Sequence, residues 1–331
     1  ERAIEMAEEP TALIEKLVDY LLEQERYADA LRWMEKLALS APPENNPWLR
    51  RMFELGLGLA GDLAASERAI AMAVDPTGLI EKLVEHLIAT ERFGEALGWL
   101  EQLASSAESD ADPWVRRMFD LSLGAADDLA GAERAIGLAS DPAVLIEDMI
   151  AYLQGRERHE AALRWLETRI DQTRDTKARE PLLMRMVEAA LDDLKDVSVA
   201  ERAIGMSRDP SPLIDELVGY HLSMEERDDA IRWLLDGIDR ESESALRLPH
   251  IERVLDVALE SPEDYPAVER AIALAERGEV FLERYIQHLL DKEEYSAARI
   301  VILDLAEHVT LESEREACLE RALSLSLGVL S

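Results

Sequence analysis

The chain has 331 residues, 48 % of them hydrophobic, which is enough apolar material for about two ordinary domains or one long repeat array and too much for a disordered polymer. Its 70 acids against 36 bases give a formal charge of −34, which sets nucleic acid and anionic membrane surfaces aside as partners, because both need a basic face. Cys318 is the only cysteine, so no intrachain disulfide can form; no signal peptide is visible and no apolar run approaches the roughly 18 residues of a membrane span, so a cytoplasmic location is expected.

The chain opens inside a repeat and without an initiator methionine, which points to a piece of a longer protein. Glu-Arg-Ala-Ile begins at Glu1, Glu67, Glu133, Glu201 and Glu269, a spacing of 66 residues twice and then 68 twice. Three further markers keep this register: Trp33, Trp99, Trp165 and Trp233 with Val301 in the fifth slot; Pro47, Pro113, Pro181 and Pro249; and Pro10, Pro76, Pro142 and Pro210 with Gly278 in the fifth slot. The two added residues fall between Trp165 and Pro181 and again between Trp233 and Pro249, so a loop is expected over 166–180 and over 234–248.

Each repeat reads as four helices. Pro10 starts the first, where a missing N–H costs nothing, and Leu13, Ile14, Leu17, Val18 and Leu21 form its core stripe. The second runs from about Arg26 to Leu39. A loop over Ala41–Asn46 leads to Pro47, which opens the third helix with Trp48, Met52, Phe53 and Leu57. Gly61-Asp62 marks a turn, and a short fourth helix carries Ala69, Ile70, Met72 and Ala73 until Pro76 stops it. Nothing alternates with period two for long enough to form a strand. The expected fold is all-α: a single α-solenoid (superhelix) over 1–331 of about twenty helices in stacked hairpins. Its four-helix repeats start near 1 (partial), 67, 133, 201 and 269, the last truncated and ending on a helix near Glu312–Leu327.

Half of the repeat is 33–34 residues, and Tyr27-Ala28-Asp29-Ala30-Leu31 and Phe93-Gly94-Glu95-Ala96-Leu97 place an aromatic-x-x-Ala-Leu at the start of the second helix. In these residues the chain resembles the tetratricopeptide repeat family over essentially its whole length, with Val84 where that family usually has Gly. Arg92–Leu97 is also similar to pentatricopeptide repeats, whose RNA binding is disfavoured here by the −34 charge.

The resemblance implies a concave groove lined by the first helix of each hairpin. Matching positions carry Glu15, Glu81, Glu147, Asp215 and Glu283 in one series, with Glu85 beside it, and Glu54, Asp120, Glu188 and Asp256 in the other. The second series is preceded at i−3 by Arg51, Arg117, Arg185 and Arg253, on the same helix face. These columns read either as a grip for a basic or bipolar peptide or as a ladder of ion pairs within and between repeats. Regular recurrence favours the ladder, since contacts between like neighbours must repeat. Arg2, Arg68, Arg134, Arg202 and Arg270 are expected to lay their stems over the next unit. The Trp33 series is expected in the core, Trp48 and Trp114 at an aromatic contact near a helix start, and Leu182, His250 and the two lengthened loops where partner-specific contacts sit. His86 and His288 take a slot held elsewhere by Tyr20, Tyr152 and Tyr220, which favours ring packing over metal ligation. No His-Glu-x-x-His, paired Cys-x-x-Cys or phosphate loop is present, so neither a metal, nor a cofactor, nor enzyme chemistry is expected. The expected function is a non-enzymatic protein- or peptide-binding scaffold, with a structural spacer or end-to-end self-associating array as the alternative.

Overall fold

In the computed structural model, residues 10–42, 46–106, 112–241, 244–275, 278–309 and 312–327 are described. The first Glu-Arg-Ala-Ile with Arg2, positions 43–45 of the first loop and the side chain of His308 lie outside them. The described residues form nineteen α-helices and no strand. They divide into two units, 1–152 and 153–331. The first holds α1 (Pro10–Glu23), α2 (Tyr27–Ser40), α3 (Pro47–Leu57), α4 (Leu63–Met72), α5 (Thr77–Ala89), α6 (Phe93–Ser106), α7 (Asp112–Leu123), α8 (Leu129–Leu138) and most of α9 (Ala143–Gly155). The second holds α10 (His159–Gln172), α11 (Thr176–Glu188), α12 (Val197–Met206), α13 (Ser211–Ser223), α14 (Arg227–Arg240), α15 (Ser244–Ala258), α16 (Tyr265–Ala273), α17 (Glu279–Asp291), α18 (Tyr295–His308) and α19 (Glu312–Ser326).

Within the two units helices pack on the next in the chain, as α1 on α2 and α13 on α14, and four pairs also meet at the next but one: α3 with α5, α6 with α8, α11 with α13 and α14 with α16. Odd-numbered helices therefore form one layer and even-numbered helices the other, as stacked tetratricopeptide-like hairpins require. The apolar stripe that drives this is the expected one except at its edge: Ile14, Val18 and Leu21 of α1 are buried against Ala30, Leu31 and Met34 of α2, while Leu17 is half-buried and Leu13, expected in the core, is exposed; Ile80, Leu83, Val84 and Leu87 of α5 are buried against Ala96, Leu97 and Leu100 of α6. No described helix is long and apolar enough to cross a membrane.

Two recurring devices set the geometry. The first closes each odd helix of a principal hairpin. The backbone N–H of Arg26 donates to the Leu21 carbonyl at 2.9 Å and that of Glu25 to Leu22 at 3.0 Å, with Glu25 at φ 57°. The same two bonds and the same left-handed residue recur at Glu91, Glu157, Glu225 and Glu293. This is the Schellman arrangement, whose left-handed position normally goes to glycine. The second device is a column of small residues where the third and fourth helices of each repeat meet: Gly56, Ser122, Ala190 and Ala258 face helices whose Ala69, Ala135, Ala203 and Ala271 are wholly buried. A Cβ on Gly56 would come within 2.4 Å of the Ser66 hydroxyl, and one on Gly131 within 2.6 Å of Ser122. The Ala-Ile of Glu-Arg-Ala-Ile is thus core, which explains its recurrence.

Three expectations are corrected. The segments 166–180 and 234–248 are mostly helix: α10 runs to Gln172 and α11 starts at Thr176, with Pro181 its sixth residue, and Pro249 is likewise the sixth residue of α15. The added residues lengthen the third helix at its N-terminus instead of its loop. Proline there lies past the first turn, so it withholds a donor from the carbonyl four residues back, Lys177 for Pro181, a loss confined to one position near the helix start. In the first repeat, by contrast, Pro47 is the first residue of α3 and the Asn46 side chain caps it by accepting from the Trp48 N–H at 3.1 Å. The Trp column is the second correction: Trp33, Trp99 and Trp165 are half-buried, Trp233 alone is buried, and the deep knob is the following residue, Met34, Leu100, Leu166 or Leu234. Third, Arg68, Arg134, Arg202 and Arg270 reach back rather than forward, pairing with Glu35, Glu101, Glu167 and Asp239 on the preceding even helix at 3.3, 3.2, 2.8 and 2.6 Å.

The left-handed glutamates give a direct test. A non-glycine residue there costs on the order of 1 kcal/mol, partly offset in a glycine variant by greater unfolded-chain entropy. Glu91→Gly is expected to raise the urea midpoint with an unchanged slope, a gain of up to about 1 kcal/mol, while Glu91→Val should lose at least as much. A glycine variant less stable than the parent would show that the Glu91 side chain makes a native contact outweighing the strain.

Candidate functional site

The residues singled out along the first helices all lie in the odd-numbered layer, and ion pairs join successive helices of that layer. In the first unit Arg51 of α3 reaches Asp19 of α1 at 2.6 Å, Glu54 of α3 meets Lys82 of α5 at 3.5 Å, and Arg116 of α7 meets Asp148 of α9 at 2.6 Å. In the second unit Arg253 of α15 reaches Asp215 of α13 at 2.5 Å, Arg284 of α17 pairs with Asp256 of α15, and Arg321 of α19 meets Glu283 of α17 at 2.7 Å. The expected i, i+3 partnership gives way at three of its four places. Arg51 and Arg253 turn to the preceding odd helix, and Glu54 and Asp120 instead take Arg50 and Arg116, four residues before them, both at 3.0 Å. Arg117 and Arg185 are half-buried, as are Glu15, Glu81 and Glu147, while Glu85 and Glu188 are exposed.

These are pairs at a wet surface, each contributing no more than about 1 kcal/mol. Two carry a resolved electrostatic signature. The Arg50 hydrogen bond, helped by the charges of Arg50 and Lys82, holds the Glu54 carboxyl below its ordinary range against the opposing effect of burial. Asp120 and Asp148 together raise the Arg116 guanidinium.

A trough lies in the odd layer between α15 and α17. It has a volume of about 980 Å³, with Leu255 and Leu259 at its base, Val280 exposed on one wall, and Asp256, Glu260, Glu283 and Asp291 beside Arg284 and Lys292; Glu260 is also paired with Arg227 of α14. Asp256 and Glu283 belong to the recurrent columns. Glu260 and Asp291 do not: their counterparts in the preceding repeat are Asp192 and Ser223, so a reading by columns passes over Asp291 altogether.

Other residues prominent in the sequence fall elsewhere. Leu182 and His250, expected at a partner surface, are 9 % and 2 % exposed; His250 is sealed against Gly237, with its Nε2 3.3 Å from the Ser211 hydroxyl. Trp48 is half-buried, with the Arg51 guanidinium 5.6 Å from its ring centre. His288 stands edge-on to Tyr265 at 6.0 Å, the ring packing expected of its slot. The Cys318 thiol is half-buried. One set of described side chains, His221, Glu226 and Asp229, brings three potential metal-ligand atoms within 4.8 Å of one another. Those atoms already have partners: His221 Nδ1 is 2.8 Å from Glu226, and Asp229 pairs with Arg232 at 2.9 Å.

No family model and no curated protein matches the chain. Solved structures similar to it are helical repeat proteins. Naa15/Naa10 bound to HypK-THB is 15 % identical with a TM-score of 0.30, covering 91 % of this chain and 51 % of that one. A signal transduction ATPase with numerous domains carrying a tetratricopeptide repeat sensor, from Pyrococcus horikoshii, is 13 % identical with a TM-score of 0.27, covering 96 % and 52 %. The P58(IPK) TPR domain is 16 % identical with a TM-score of 0.22, covering 97 % and 99 %. The chain spans about half the length of the first two. At such scores whole chains do not superpose, and nothing of those proteins' partners transfers with the likeness.

The pairing of Glu54 has a pH signature. Its carboxyl is lowered in the folded chain, so its stabilisation is fully present above the unfolded-state range and is lost as pH falls through the folded value. Glu54→Gln should therefore cost up to about 0.5 kcal/mol at pH 7 and nothing near pH 3 by thermal or urea melts. A deficit that persists unchanged at pH 3 would assign the effect to packing instead of charge.

Proposed function

We propose that this chain is a non-enzymatic tetratricopeptide-like scaffold that binds a basic segment of a partner protein in the odd-helix layer. The observation that carries the reading is the trough between α15 and α17, open, about 980 Å³ in volume, with an apolar floor and four carboxylates on its rim, of which Asp256, Glu260 and Glu283 are each held by an arginine and Asp291 accepts only from Gln287 among the described residues. A groove with those properties receives an extended or helical segment through a few apolar side chains and selects its charge through the rim. The −34 net charge speeds encounter with a cationic partner and opposes encounter with RNA or an acidic surface.

The test is fluorescence anisotropy with labelled Lys/Arg-rich and Asp/Glu-rich peptides of equal apolar content. Binding only of the basic set is expected, weakening as NaCl rises from about 50 to 300 mM. Glu260→Gln with Asp291→Asn should reduce affinity about fivefold, the equivalent of roughly 1 kcal/mol. Equal binding of both peptide sets, or of neither, would remove the reading.

A second reading, end-to-end self-association, has one observation in its favour. Leu319 and Leu323, one turn apart on α19, are 45 % and 59 % exposed. Sedimentation across a concentration series separates the two readings; a monomer at every concentration disposes of the second.

A further inference from the structure

The fifth repeat departs from the other four at one place in three dimensions. Trp33, Trp99, Trp165 and Trp233 give way to Val301. The outward-facing residue before each Trp, Arg32, Gly98, Arg164 or Arg232, becomes Ile300, and the proline of Pro10, Pro76, Pro142 and Pro210 becomes Gly278. The three altered positions line a single cavity of about 570 Å³ between α16, α17 and α18. Its walls are the buried side chains of Ile272, Leu282, Tyr285 and Val301. Replacing a half-buried indole by an isopropyl group frees on the order of 90 Å³, so the change widens the cavity without accounting for all of it. Here Tyr285 stands where the other repeats have Leu17, Leu83, Met149 and Leu217, and even that larger ring leaves the cavity open.

Two features say what would fill it. Ile300 is 64 % exposed at the cavity's edge, an apolar side chain turned to water where other repeats keep Arg or Gly. A lone exposed isoleucine means little, but one at the lip of an apolar cavity extends its contact surface. Of the charged residues lining the cavity, Glu269 and Glu279 are acidic and stand at its mouth. An apolar slot with carboxylates at its mouth matches an aromatic side chain flanked by cations.

The geometry points to a second binding site, separate from the odd-layer trough, in which the α16–α17–α18 cavity takes a Trp or Phe side chain from a partner protein segment that carries Lys or Arg on either side of it. The cavity lies between even helices and the odd helix they share, so it takes one anchoring side chain rather than a length of chain. It deepens the scaffold reading and rests on it, by naming the anchor residue of the partner.

The test uses the full chain and short labelled peptides with one Trp between lysines, against the same peptides with Trp changed to Ala and with Lys changed to Glu. Val301→Trp restores the residue of the other repeats and narrows the slot; it is expected to keep the helical spectrum and to weaken the Trp peptide at least tenfold. Ile300→Arg restores the second column position and repels the flanking lysines without touching the interior, so it serves if Val301→Trp does not fold. Glu260→Gln/Asp291→Asn, in the trough, is expected to leave Trp-peptide binding unchanged. If both cavity variants bind like the parent while the trough variant loses binding, the cavity inference is overturned and the scaffold reading stands. If the Trp and Ala peptides bind equally, the anchor is wrong, and if no peptide binds, both readings fail. Sedimentation is run alongside: a parent dimer that Val301→Trp turns to monomer would assign the cavity to a second copy of the chain and overturn the inference.

Discussion

A single helical hairpin cannot cover its own apolar face, and everything regular in this molecule follows from that. In each unit a hairpin buries its stripe only by meeting its neighbour, so the contacting residues must recur at the repeat length. The recurrence is strictest where space is least: the small column of Gly56, Ser122, Ala190 and Ala258 and the wholly buried Ala69, Ala135, Ala203 and Ala271. It is looser where a side chain has room to tilt, as in the Trp column, half-buried at three positions and buried at the fourth.

Charge follows the same rule at lower stakes. Each Arg of the Glu-Arg-Ala-Ile motif from Arg68 onward meets an acid on the preceding even helix, and the odd layer is joined by pairs such as Arg253 with Asp215. These pairs orient neighbouring helices, yet each is weak at an exposed surface and the chain carries 70 acids against 36 bases. The surplus carboxylates repel one another, and salt screens both that repulsion and the pairs. The ion pairs are therefore registers of stacking more than sources of stability.

The helices, their starts at Pro10 and Pro47 and their stop before Pro76 were legible in the sequence because proline and apolar periodicity act locally. The hairpin stack was legible because a repeat reports contacts between like neighbours. What escaped was whatever depends on a third element. Pro181 and Pro249 look identical to Pro47 in the alignment of repeats, but two added residues let the helix begin earlier, and no local signal separates a longer loop from a longer helix. His250 reads as a surface departure until Gly237 is seen to make room for it. Arg51 and Glu54 sit on one helix face, but each found a better partner, one on α1 and the other at i−4. In the trough, Asp291 has no recurrent signal because its counterpart in the preceding repeat is Ser223, and nothing local in the sequence brings it beside Glu260.

The account divides the molecule: recurrent residues build the stack, and departures from the repeat hold partners. The most direct test is a double-mutant cycle on a recurrent pair, Arg253→Ala and Asp215→Ala singly and together, with both unfolding free energy and basic-peptide affinity measured. The account predicts a coupling of about 0.5 kcal/mol in stability and no change in affinity beyond about twofold. A pair with no coupling in stability, whose single variants each weaken the peptide about tenfold, would contradict it and move the binding surface onto the columns themselves.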